Sequence, residues 1–145
     1  MAWTVFHTFM EKLLNGAAVD LNSDDIRFML IDDTRAPVQA TDTSMVDIDD
    51  NEVSGDGYTG GGAELANESV ALAGGTVTFD ADDVTWSQGA SGFTDARYAV
   101  LYKYTGTPAA ETPICYADLG GNKGNDDGDL TLELAADGIL TLAAA

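Results

Sequence analysis

The chain has 145 residues, of which 45% are hydrophobic, and sets 25 Asp or Glu against 6 Lys or Arg for a net charge of −19. A surface this negative repels phosphate backbones and anionic lipid, so nucleic-acid and membrane-surface binding are excluded as expectations. The ordinary apolar fraction excludes a disordered chain, and the length is that of one domain, expected to bury roughly 68–70% of its unfolded surface.

The first predicted element is an amphipathic helix over 1–16. Trp3, Phe6, Met10, Leu13 and Leu14 recur at three-and-four spacing with Phe9 beside them, and Gly16 is placed as a stop. From Ala17 to Ala145 the pattern is that of a β domain. The run 26–31 (Ile-Arg-Phe-Met-Leu-Ile) reads as a central strand. Residues 32–56 are acidic and irregular, with a short helix expected between Asp42 and Glu52 whose Met45, Val46 and Ile48 face inward. The glycine-rich stretch 55–62 requires positive φ at several positions.

Val70–Leu72 and Thr76–Phe79 read as a hairpin about Gly74-Gly75, followed by a short strand at 84–86. Residues 97–104 alternate, with Tyr98, Val100, Tyr102 and Tyr104 on one side and Ala99, Leu101 and Lys103 on the other. A strand at 114–119 follows, and the runs 130–134 and 139–142 are predicted to form a closing hairpin through Asp137-Gly138. Eight or nine strands at this spacing predict a mainly β fold, a β-sandwich or jelly-roll-like domain with one N-terminal helix. No internal repeat, linker or second domain is visible.

Nineteen of the acids are aspartate, and lysine occurs only at Lys12, Lys103 and Lys123. Two settings produce this balance: a salt-accumulating host cytoplasm, or a basic partner. The first is favoured, because exchanging lysine for aspartate removes apolar stem as well as adding charge.

Candidate chemistry is sparse. His7 is the one histidine and lies on the predicted helix, far in sequence from Ser91. Ser91 in Gly89-Ala90-Ser91-Gly92 misses the nucleophile-elbow spacing by one position. Cys115 is a lone cysteine in an apolar run, which points to a buried inert thiol. Asp47–Glu52 begins like a calcium loop, but Glu52 stands where the EF-hand needs glycine and Tyr58 where it needs its last ligand. Residues 120–129 carry suitable oxygen donors once, without the register of a calcium β-roll. The cluster Gly60–Gly62 lacks the Lys-Ser or Lys-Thr of a phosphate loop. Tyr58 and Trp86 are candidate sugar platforms, with packing residues the simpler reading. The expectation is no catalytic, cofactor or metal site, and diffuse condensation of cations on the acidic surface. The N-terminus has no basic region followed by a long apolar one, so synthesis and folding inside a cell are expected.

One layout is familiar. It comprises the aromatic N-terminal segment ending in Leu13-Leu14-Asn15-Gly16, then Val19-Asp20-Leu21, the strand 26–31, and Glu52–Tyr58 with its glycine cluster. Phe79–Trp86, Arg97–Tyr102 and Gly138–Leu142 complete it, in order, over nearly the whole chain. This layout resembles small structural proteins from the virions of tailed phages and tailed archaeal viruses. The resemblance implies a non-enzymatic capsid decoration or cement protein, forming a homo-oligomer and bound to the major capsid protein, with no small-molecule substrate. Trp3, Phe6 and Phe9 are the expected contact residues if their face is open. A tail, baseplate or fibre component of the same virion, a carboxylate-based hydrolase or carbohydrate-binding module, and an acidic cellular scaffold are the rival readings.

Overall fold

A computed structural model describes residues 1–16 and 19–144; the boundary placed at Ala17 and the terminal Ala145 lie outside the described residues. The chain runs through β1 (Thr4–Val5), α1 (His7–Leu14), β2 (Ile26–Ile31), β3 (Ala63–Glu64), β4 (Ser69–Ala73), β5 (Thr76–Asp80), β6 (Val84–Trp86), β7 (Ala96–Lys103), β8 (Thr112–Lys123), β9 (Leu130–Leu132) and β10 (Leu140–Ala143). All pairings are antiparallel, in a five-stranded sheet β1-β8-β7-β2-β3, a three-stranded sheet β10-β5-β4 and a two-stranded sheet β6-β9. The fold is mainly β with one short N-terminal helix, consistent with a sandwich, as the strand spacing predicts.

The five-stranded sheet is covered on both faces because its strands carry two apolar sets. Ile26, Phe28 and Leu30 of β2 join Ala99 and Leu101 of β7 in one cluster, closed by Phe79, Trp86, Leu132 and Ile139 from the smaller sheets and their connections. Met29, Ile31, Val100 and Tyr102 point the other way, where Phe6, Met45 and Ile48 cover them. The alternation in β7 therefore divides two cores rather than core from solvent. This is why β2 reads as a continuous apolar run.

Three expectations change. The helix does not begin at residue 1: Thr4 and Val5 pair with Tyr116 and Cys115, and the helix starts only at His7. β-branched Thr and Val favour the strand, and the open edge of β8 offers them hydrogen bonds that a first helical turn lacks. The segment 42–52 forms two single turns of 3-10 helix, Met45–Asp47 and Asp49–Asn51, burying Met45 and Ile48 but leaving Val46 exposed. Finally, β9 and β10 do not form a hairpin. The turn at Asp137-Gly138, closed by Gly138 N–H on the Ala135 carbonyl at 2.8 Å, passes the chain from β6 over to β5.

The β4–β5 hairpin matches its prediction. Gly74 and Gly75 take φ of 56° and 83°, the left-handed pair that a two-residue turn needs. On the opposite core, Arg35 clamps the buried Asp42 carboxylate with both terminal guanidinium nitrogens, Nη1 and Nη2, and Val38 N–H donates to it at 2.8 Å. A carboxylate this deep needs such pairing.

Candidate functional site

Most residues singled out for chemistry prove to be parts of the scaffold. Trp86 is buried and Tyr58 lies against it, ring centroids 6.4 Å apart, with Phe93 edge-on to Tyr58 at 5.7 Å. Neither aromatic presents a flat face to a sugar. Cys115 is fully buried, and burial pushes its thiol well above the usual range, so it stays protonated. His7 is exposed at the start of α1 and Ser91 is exposed in the loop before Phe93. Ser91 N–H donates to the Asp56 carboxylate at 3.1 Å, a loop-fixing contact.

The glycine cluster is held from below. Tyr102 donates its hydroxyl to the Gly61 carbonyl at 2.6 Å, while Gly61 N–H donates to Glu52 Oε1 at 2.7 Å. Tyr58 donates its hydroxyl to the same Glu52 oxygen at 2.8 Å and accepts from Leu30 N–H at 3.1 Å. Burial raises the Glu52 carboxyl above its ordinary value, against the lowering effect of the Tyr58 and Gly61 bonds. Glu52 is thus the centre of a post tying 52–62 to β2 and β7, and it takes up the Gly61 N–H of the cluster, while Gly62 N–H donates to the Thr59 carbonyl.

A depression of about 210 Å³ opens beside this post, with Asp49, Glu52, Glu111, Tyr102 and Tyr104 among its walls. Glu111 is buried and accepts from Thr105 and Gly106 N–H at 3.1 and 3.0 Å. The half-buried Glu52 and the buried Glu111 carboxylates are therefore both occupied by loop donors. Arg27, stacked 3.6 Å from the Tyr104 ring centroid and bonded to Asp25, stands on the same face of the sheet. The raised Glu52 carboxyl makes a prediction. A folded-state value above the unfolded one gives stability that is present below about pH 4.5 and lost as pH rises through the folded value. Glu52→Gln keeps an oxygen for Tyr58 and Gly61 without the charge. Its melting temperature should equal or exceed that of the parent at pH 7 and fall back toward it near pH 4.5. Glu52→Ala leaves both donors buried and should lose about 2 kcal/mol.

The calcium-like segments also resolve into structure. The Asp47 carboxylate accepts from Thr43 and Ser44 N–H at 2.9 and 3.3 Å, and the Thr43 contact is the main cause of its lowered pKa. In 120–129 the important residue is Asn125, which sequence reasoning passed over. It is fully buried: Phe93 N–H donates to Oδ1 at 3.0 Å, and Nδ2 donates to the Asp56 and Ser87 carbonyls at 2.8 Å each. Three loops meet on this one amide, and a Cβ at Gly57 or Gly92 would run into it. Among the described residues, no group of three His, Cys, Asp or Glu is placed to hold a metal ion.

What remains open is apolar surface. Phe6 and Phe9 are buried, and Trp3 is half-buried and stacked on Phe28 at 5.3 Å, so the three expected contact aromatics belong to the domain itself. The exposed apolar side chains of α1 are Met10, Leu13 and Leu14, the last 89% accessible. A second patch lies on the β4–β5–β10 sheet, where Val70, Leu72 and Leu142 stand in solvent. Among the described residues, no helix is long and apolar enough to cross a membrane. Comparison with known proteins finds no family model, no curated protein and no solved structure that matches the chain.

Proposed function

We propose that this chain is a non-enzymatic virion structural protein that decorates the capsid of a tailed virus, in a host that accumulates salt. The observation that carries this reading is the exposed apolar end of α1. Met10, Leu13 and Leu14 stand in solvent on a molecule of net charge −19, a placement that fits docking on another protein surface. The layout of elements from the N-terminal aromatic segment to the closing strand supports the same assignment by its resemblance to virion proteins. The function is mechanical. A rigid β domain adds interface area between capsid subunits through its helix end, and the acids keep the outer face hydrated.

The test is quantitative mass spectrometry of virions purified from cells producing this chain. Copies comparable to the major capsid protein are the expected result. A handful per particle would move the assignment to the tail, baseplate or fibre, and absence from the particle would overturn the virion reading.

A further inference from the structure

The β4–β5–β10 sheet differs from the rest of the molecule in chemistry. Residues 69–79 and 138–144 contain no charged side chain, and acids stand only at their borders, Glu68, Asp80 and Asp137, in a chain with 25 acids and 6 bases. All five residues of β4 are exposed, and among the described residues no strand pairs with its outer side. Edge strands in soluble proteins are usually blunted by shortness, lysine, proline or a bulge. The large sheet follows that rule, since its edges β1 and β3 are two residues each. β4 has five residues and none of these devices.

Its backbone is also set for self-pairing. In a two-residue hairpin the residues flanking the turn exchange both hydrogen bonds, and alternate residues point away. Ala73 and Thr76 flank the turn, so Ala73, Ala71 and Ser69 bond to β5 while Leu72 and Val70 aim N–H and C=O outward. The bond from Ala144 N–H to the Gly75 carbonyl, on the far side of β5, agrees with this parity. We infer that β4 is the edge through which two copies of this chain join, antiparallel about a two-fold axis at Ala71. Val70 then faces the partner's Leu72 and Leu72 the partner's Val70, and each pair exchanges two hydrogen bonds.

The side chains follow the backbone. Val70 and Leu72 lie on the same face as Phe79, Leu140, Val77 and Leu142 with which they are in register, so the dimer has one six-stranded apolar face. Charge favours a second copy over a basic partner, because the arm has nothing with which to pair a cation. Copies at −19 each repel wherever acids meet, and the arm is the place where they can approach. In this register the two Glu68 side chains stand six residues apart along the joined strands, about 20 Å, beyond the ~10 Å Debye length at 0.1 M salt. The strands are short, so the contact falls in the weak class below about 1,200 Å².

This inference goes beyond the virion reading and does not need it, since it is tested on the purified chain. Sedimentation equilibrium of the full chain at about 0.3 mM, a concentration suited to a weak interface, should show a dimer that tightens as KCl rises. Leu72→Lys and Leu72→Pro should both give monomer with unchanged far-UV circular dichroism, because the Leu72 N–H makes no bond within the sheet. Ala71→Cys should form a disulfide-linked dimer under mild oxidation at least about tenfold faster than Ala73→Cys, whose copies stand four residues apart in this register. A parent chain that stays monomeric, a dimer that survives Leu72→Lys, or equal cross-linking at positions 71 and 73 would each overturn it. Should Leu72→Pro unfold the hairpin, the lysine variant and the cysteine pair still decide.

Discussion

Asn125→Ala should lose about 3–5 kcal/mol of folding stability, a large share of the ~5–15 kcal/mol typical of a domain. The side chain satisfies one buried N–H and two carbonyls from three different loops. Truncation strands all three groups at roughly 1–3 kcal/mol each before partial relaxation. Asn125→Asp separates hydrogen bonding from volume. It can still accept from Phe93 N–H, but at neutral pH it turns a carboxylate oxygen toward the Asp56 and Ser87 carbonyls. Burial would raise the introduced carboxyl, so the variant should regain stability as pH falls through that raised value. Urea melts of the parent and both variants check this. A loss below about 1 kcal/mol for Asn125→Ala would mean that water replaces the amide and that the three loops stand without it.

The second large effect is that of salt. The described residues form four ion pairs, Arg27–Asp25, Arg35–Asp42, Arg97–Asp118 and Lys103–Asp24. Most of the 25 acids therefore meet one another without a compensating cation. Two exposed carboxylates at about 7 Å repel by ~0.6 kcal/mol in water, and the Debye length falls from about 10 Å at 0.1 M to ~3 Å at 1 M. Summed over many neighbours this reaches several kcal/mol, while the surface ion pairs lost to screening contribute at most about 1 kcal/mol each. The melting temperature should rise by on the order of 10 °C between 0.1 and 2 M KCl. A flat series of thermal melts would remove the support for a salt-accumulating host.

Several elements were legible because their signals are local. Gly74-Gly75 favours a two-residue turn where it is flanked by apolar alternation, and the alternation read over 97–104 is carried by β7, with Tyr104 just beyond its end. Thr4-Val5 was hidden because a helical stripe through Trp3, Phe6, Met10, Leu13 and Leu14 fits the same residues. The partner that decides between helix and strand, β8, lies more than a hundred residues away. Asp137-Gly138 announced a reversal, but a turn does not say which strand the chain will meet next. Asn125 was illegible for another reason. Asn among Gly and Asp has the composition of a solvated loop, and only the meeting of three distant loops reveals a buried amide. Trp3, Phe6 and Phe9 were expected to make contacts only if their face was open; it is closed, because Phe6 and Phe9 are buried in the two cores and Trp3 is stacked on Phe28.

The order of strands in the large sheet has a consequence for how the chain is made. β2 is complete at Ile31, yet its long partner β7 ends at Lys103, and β1 waits for Cys115 and Tyr116 of β8. At roughly 5–20 residues per second, the ribosome takes about 4–15 s to supply β7 after β2 has been made. Through that interval Ile26–Ile31 has no long strand to pair with, and the one hairpin that closes locally in the meantime is β4–β5. Nascent chains would then sit side by side on polysomes with an unsatisfied apolar strand, a state prone to aggregation. The acidic stretch 32–56 that follows immediately puts charged, strongly hydrated residues directly beside that strand, the flanking arrangement that limits aggregation of an unavoidable apolar segment.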